Sequence, residues 1–169
     1  MRMSSSTGDS RLPSAGTRPA GLVPHRRQFV VGRRRHEPAE DWVARDLPDG
    51  FVLSHHADLE VTDQDDGLVL GATFPGASPD GLAGRSVRLR WPWIAPDGSG
   101  LMSLHHAHGP DGPLVSPSAA LLAQLAPGET DGRRAGRGGI NWVPGPGSPL
   151  LHARTVLPGQ RLHVVDLVP

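Results

Sequence analysis

The sequence of 169 residues contains no cysteine. The chain can therefore form no disulfide and has no thiol to act as a nucleophile or a metal ligand. Its longest apolar run falls far short of the roughly 20 residues that a membrane-spanning helix needs. The N-terminal segment also lacks the apolar stretch of a signal peptide. We therefore expect a cytoplasmic protein with no membrane partner.

Aromatic residues are scarce, since three Phe and four Trp are present and Tyr is absent. A buried core must therefore consist mainly of Val, Leu and Ala. The 22 Gly and 18 Pro residues favour short strands joined by many turns over long helices. Lysine is absent as well, and all 17 basic residues are arginine. We interpret this as a compositional bias and not as a phosphate-binding signature.

Charge is balanced overall but unevenly distributed along the chain. Residues 1–35 hold eight Arg and one acidic residue, whereas residues 36–66 hold ten acidic residues and one Arg. No aromatic side chain separates the arginines before Phe29, and no nucleic-acid-binding module follows, so we do not expect nucleic acid as a partner. We predict a disordered Arg/Ser/Gly/Pro-rich tail over 1–27 and a single globular domain over 28–169.

Short apolar runs, of which 59–63 and 86–91 alternate with polar residues, predict about seven short antiparallel strands. The pair Asp66-Gly67 separates two of these runs and indicates a hairpin. Pro92 is expected to end another run. Eight candidate runs underlie this number, and they cover residues 28–32, 51–55, 59–63, 68–74, 86–91, 101–108, 140–143 and 161–167.

Helical signals are fewer. Residues 117–125 predict one clear helix, with Ser116 as its cap and Pro117 in its first position. Residues 38–44 predict a single helical turn. The pattern as a whole predicts a β-rich α+β fold.

Three segments, taken together, resemble a known family. They are Leu47–Leu59, Leu114–Leu122 and Ile140–Leu162, and they occur in the family's order. The resemblance is to the class II glutamine amidotransferase-like domain, with an N-terminal nucleophile fold, of asparagine synthetase-like proteins. It implies an amidotransferase-like sandwich.

The departures from that family concern its chemistry. The family's glutaminases use an N-terminal cysteine, but this chain begins Met1-Arg2-Met3 and has no thiol. Ser4 lies in the predicted tail, where nothing would hold it for catalysis. The resemblance therefore implies a non-catalytic accessory or binding protein without a cofactor. Its expected partner is a separate synthetase or transferase of a bacterial biosynthetic pathway.

A histidine cluster supports an alternative hypothesis. His106 and His108 point to the same face if 101–108 is a strand, and Asp111 follows shortly after. Two imidazoles and a carboxylate could hold one divalent transition metal. Gly100, six residues before His106, gives the segment a resemblance to the first metal motif of cupin barrels. This alternative predicts a cupin-like β-barrel metalloprotein, whereas the simpler interpretation is a row of solvated histidines.

The segment Trp91-Pro92-Trp93 also allows two interpretations. The indoles could stack on a sugar or on a proline-rich partner. Alternatively they fill the core at a strand bend, which is the interpretation that we favour.

Overall fold

A computed structural model describes residues 27–38, 40–74, 84–99, 101–128, 147–148 and 150–169. Most of the predicted tail and the predicted strand 140–143 lie outside these ranges. The described chain forms two antiparallel sheets and one α-helix, which confirms the predicted β-rich α+β sandwich.

The first sheet has six strands in the order β10-β8-β9-β1-β3-β2. These strands are β1 (Phe29–Gly32), β2 (Trp42–Asp46), β3 (Val52–His56), β8 (Leu104–Gly109), β9 (Gly112–Ser116) and β10 (Ala153–Val156).

The second sheet has five strands in the order β11-β7-β6-β5-β4. These strands are β4 (Val61–Gln64), β5 (Gly67–Thr73), β6 (Gly84–Arg90), β7 (Trp93–Pro96) and β11 (Leu162–His163). Within the described ranges the two sheets remain open and form no closed barrel, which does not agree with the cupin-like alternative.

The main core lies between the two sheets. Every second residue of a strand points to the same face, so alternate apolar residues from both sheets meet there. Each large side chain that is fully buried contributes about 1.5–3 kcal/mol. The first sheet supplies Phe29, Val31, Leu53 and Val115, and the second supplies Leu68, Leu70, Val87, Leu89 and Ile94.

A second core covers the outer face of the first sheet. The helix α1 (Ala119–Leu125) packs Leu121 and Leu122 against Val30, Ala107 and Leu114. The first sheet is therefore buried on both faces around β1, which explains the continuous apolar run at the start of that strand.

The hairpin between β4 and β5 confirms the turn predicted at Asp66-Gly67. Gly67 adopts a φ of +156°, and a Cβ at this position would lie 2.1 Å from the carbonyl oxygen of Leu89. Glycine is therefore required both by the backbone conformation and by the close approach of β6.

Two local predictions were wrong. The predicted helical turn over 38–44 is replaced by β2, because Trp42 pairs with His56 and buries its side chain in the second core. Ser118, and not Ser116, caps α1, since its hydroxyl accepts a hydrogen bond from the Leu121 backbone N–H. Ser116 instead ends β9, where it pairs with His105.

Several strand bounds also differ from prediction. The run predicted over 101–108 becomes a strand only from Leu104, and the run over 161–167 is a strand only at 162–163. A turn follows β11, in which the Leu167 backbone N–H donates to the His163 carbonyl. The strands β7, β9 and β10 were not predicted.

Candidate functional site

A cleft of about 520 Å³ opens at one end of the sandwich. Four connections meet there: the chain before β1, the turn between β3 and β4, the chain before β8 and the link between β9 and α1. The ends of β5 and β6 form the remaining wall. The lining residues are Arg27, Gln28, Asp58, Leu59, Glu60, Gly71, Ala72, Arg85, Leu101, Met102, Ser103 and Pro117.

Charged side chains of both signs line this cleft. Arg27 and Arg85 are exposed, and so are Asp58 and Glu60. Among the described residues, neither guanidinium has an ion-pair partner, and Glu60 has none either. These charges are therefore free to meet a partner's charges at the mouth of the cleft.

The Asp58 carboxylate lies 3.8 Å from Nδ1 of His56. The same Nδ1 accepts a hydrogen bond of 3.0 Å from the Asp58 backbone N–H. In this arrangement that nitrogen therefore donates no hydrogen bond to the Asp58 carboxylate.

The cleft walls are fixed by close backbone packing. The Gly71 N–H donates to the Glu60 carbonyl at 2.8 Å, and Gly71 adopts a φ of +102°. A Cβ on Gly71 would lie 2.3 Å from the Arg85 carbonyl oxygen, so only glycine allows β5 and β6 to approach here. The Oε1 atom of Gln28, another residue of the cleft lining, is buried and has no hydrogen-bond partner in the described structure.

Apolar side chains complete the lining. Leu59 is buried beneath the cleft, whereas Leu101 is 53% exposed beside it. Met102 is partly buried and packs against the main core. A concave surface that combines apolar area with a few charged groups is typical of binding sites.

The structure brings together only part of the predicted metal site. His106 and His108 lie on the same face of β8, as predicted, with His106 buried and His108 exposed. Asp111 lies in the turn between β8 and β9, where its carboxylate forms an ion pair of 2.8 Å with Arg34. In the ranges that the structure describes, no group of three or more His, Cys, Asp or Glu residues could hold a metal ion.

The neighbours of His106 are also unfavourable for a cation. In the strand register it lies directly opposite Arg154 of β10 on one side and Val115 of β9 on the other. Burial lowers the pKa of His106, and the positive charges of Arg154 and His108 lower it further. A guanidinium beside the imidazole would repel a metal ion.

His105 points to the opposite face of β8. Its Nδ1 lies 3.0 Å from the Thr155 hydroxyl. Burial lowers the pKa of His105 to about 4, with a smaller contribution from His106. This histidine is therefore neutral at physiological pH and takes no part in a site shared with His106 and His108.

The rings of Trp91 and Trp93 pack against neighbouring side chains at a strand bend, so neither ring is a free stacking surface. The Trp91 ring centroid lies 4.9 Å from that of Phe51, and its indole N–H donates to Asp49 at 2.9 Å. The Trp93 ring is covered by the Arg161 guanidinium at 4.5 Å and by the edge of His163.

Sequence reasoning missed the cleft entirely. Its residues come from segments that are far apart along the chain, and none of them carries a recognisable motif. One signal was present: Asp58 and Glu60 flank the buried Leu59 in the connection between β3 and β4, and charges in connections commonly serve binding.

Comparison with protein-family models, with curated proteins and with solved structures finds no match for this chain. No helix in the described part of the chain has the length and apolar character needed to cross a membrane.

Proposed function

We propose that this chain is a non-catalytic, amidotransferase-like accessory protein that binds a separately encoded synthetase or transferase of a bacterial biosynthetic pathway. The observation that carries the proposal is the cleft at the end of the sandwich. Its unpaired charges and the exposed Leu101 form a surface suited to recognition.

Two further observations support the proposal. A glutaminase of the resembled family needs a cysteine nucleophile, and this sequence has none. The two packed antiparallel sheets agree with the sandwich that the resemblance implies. The choice of a synthetase or transferase as the partner follows from the resemblance alone.

Co-purification with the synthetase or transferase encoded beside its gene tests the proposal. We expect a stable complex for the wild-type chain and a loss of binding of about tenfold or more for Leu101→Arg, which places a new charge at the mouth of the cleft. Leu151→Arg is the matched control, because Leu151 is similarly exposed at 61% but does not line the cleft.

Two results would contradict the proposal. One is a wild-type chain that remains free of the neighbouring synthetase or transferase at concentrations in the micromolar range. The other is a complex that both arginine variants weaken equally, since a general effect of added charge would then explain the loss.

A further inference from the structure

Three basic residues form a strip on one face of the first sheet. Arg154 of β10 lies directly opposite His106 of β8, and His108 follows His106 by two residues. Directly opposite residues of an antiparallel pair have Cβ atoms about 5 Å apart, and alternate residues of one strand lie about 7 Å apart. The basic strip is therefore small enough for a single ligand to contact all three side chains.

No acidic group compensates this strip among the described residues. The cross-strand neighbours on β9 are Val115 beside His106 and Pro113 beside His108. Asp111 is the nearest acidic residue along the chain, and its carboxylate already forms an ion pair with Arg34. The charged groups that act on His106 are Arg154 and His108, and both are basic.

Solvent reaches two of the three side chains. Arg154 and His108 are exposed, whereas His106 is only 7% exposed and lies between Arg154 and Val115. Within the described chain the Arg154 guanidinium has no ion-pair partner. A ligand can therefore approach Arg154 and His108 from solvent without displacing an existing ion pair.

We propose that Arg154, His106 and His108 form an anion-binding site for a phosphate group, either as free phosphate or as a phosphate monoester. The guanidinium supplies a planar fork of N–H donors and a permanent charge, which matches two phosphate oxygens. The imidazoles supply N–H donors to the remaining oxygens. The site shares no residue with the cleft and does not depend on the proposed function.

Isothermal titration calorimetry of the full chain at low ionic strength tests the proposal. Inorganic phosphate and a nucleoside monophosphate are titrated separately, and sodium chloride of equal ionic strength is the control. We expect saturable binding of at least one phosphate compound. Tighter binding of the nucleotide would identify a monoester as the ligand, and equal or tighter binding of phosphate would identify the free ion.

Variants assign the binding to the strip. Arg154→Gln should weaken the affinity by about tenfold or more, and Arg154→Lys should restore part of it because the charge remains while the fork is lost. His108→Gln should weaken binding severalfold. Arg161→Gln is the matched control, because that arginine stacks on Trp93 and should leave the affinity unchanged. Near-ultraviolet circular dichroism verifies that each variant is folded.

Three results would overturn the proposal. They are an absence of phosphate binding up to the millimolar range, binding that Arg154→Gln does not weaken, and a stoichiometric transition metal found by elemental mass spectrometry. A metal that disappears in a His106→Ala/His108→Ala double variant would instead establish the metalloprotein alternative.

Discussion

At the scale of single residues, buried histidine side chains determine how the stability of the fold changes with pH. His36 is 6% exposed, and its Nε2 atom has no hydrogen-bond partner among the described residues. Burial lowers the pKa of His36, as it does for His105 and His106. All three imidazoles resist protonation in the folded state, so acid should destabilise the fold.

His105 gives this effect its sharpest test. The unfolded chain takes up a proton near the ordinary pKa of 6.5, whereas the folded chain does so only near 4. Between these values the unfolded state binds more protons, so the free energy of unfolding falls as the pH is lowered from 6.5 to 4. The contribution of His105 is about 2 kcal/mol, because partial exposure to solvent reduces the effect.

His105→Gln should therefore make the loss of stability in acid shallower. The glutamine side chain can still form a hydrogen bond with Thr155 but has no proton to gain. Chemical denaturation at neutral pH and at about pH 5 measures the difference. His152→Gln changes an exposed histidine and is the control. Equal slopes for wild type and His105→Gln would contradict the assignment.

The elements of the fold follow local sequence signals where one face of a strand is buried. The predictions for β1, β3, β5 and β6 hold because the apolar residues of these runs enter the main core, and in β6 they alternate with polar residues. The helical turn predicted at 38–44 is wrong because Trp42 lies in β2 and packs in the second core. Local propensity does not encode this tertiary contact. Ser116 was a plausible cap by sequence, but pairing with His105 keeps it in β9.

Gly67→Ala tests the hairpin between β4 and β5. An alanine would meet the Leu89 carbonyl at 2.1 Å, so we expect the free energy of unfolding to fall by about 3 kcal/mol. Gly159→Ala is the matched control, because Gly159 has a φ of +81° but open space around it. It should cost about 1 kcal/mol, from backbone strain alone. Equal losses in denaturant titrations would show that the contact with β6 is not tight.

On the scale of the whole molecule, the centre of the first sheet, around β1, is buried between the second sheet and α1. Leu122 of the second core is fully buried, and Leu122→Ala should therefore lower the free energy of unfolding by about 3 kcal/mol. Leu151→Ala, at a position that is 61% exposed, should change it by less than about 0.5 kcal/mol. A small effect of Leu122→Ala would mean that α1 does not pack stably on the sheet.

The candidate sites differ in how far the sequence could predict them. The shared face of His106 and His108 follows from the period of a strand, so it was predictable. Their neighbour Arg154 was not, because the pairing of β10 with β8 joins residues about 50 positions apart. The cleft depends in the same way on sheet topology, which brings distant connections to one end of the sandwich.

The central claim is that the cleft binds a synthetase or transferase, and hydrogen–deuterium exchange on the complex tests it most directly. We predict that binding of the synthetase or transferase encoded beside the gene slows backbone amide exchange in 57–60 and 101–103, which line or adjoin the cleft. Exchange in α1 should remain unchanged. Protection confined to α1 or to the strands of the first sheet, with 57–60 and 101–103 unaffected, would contradict the claim.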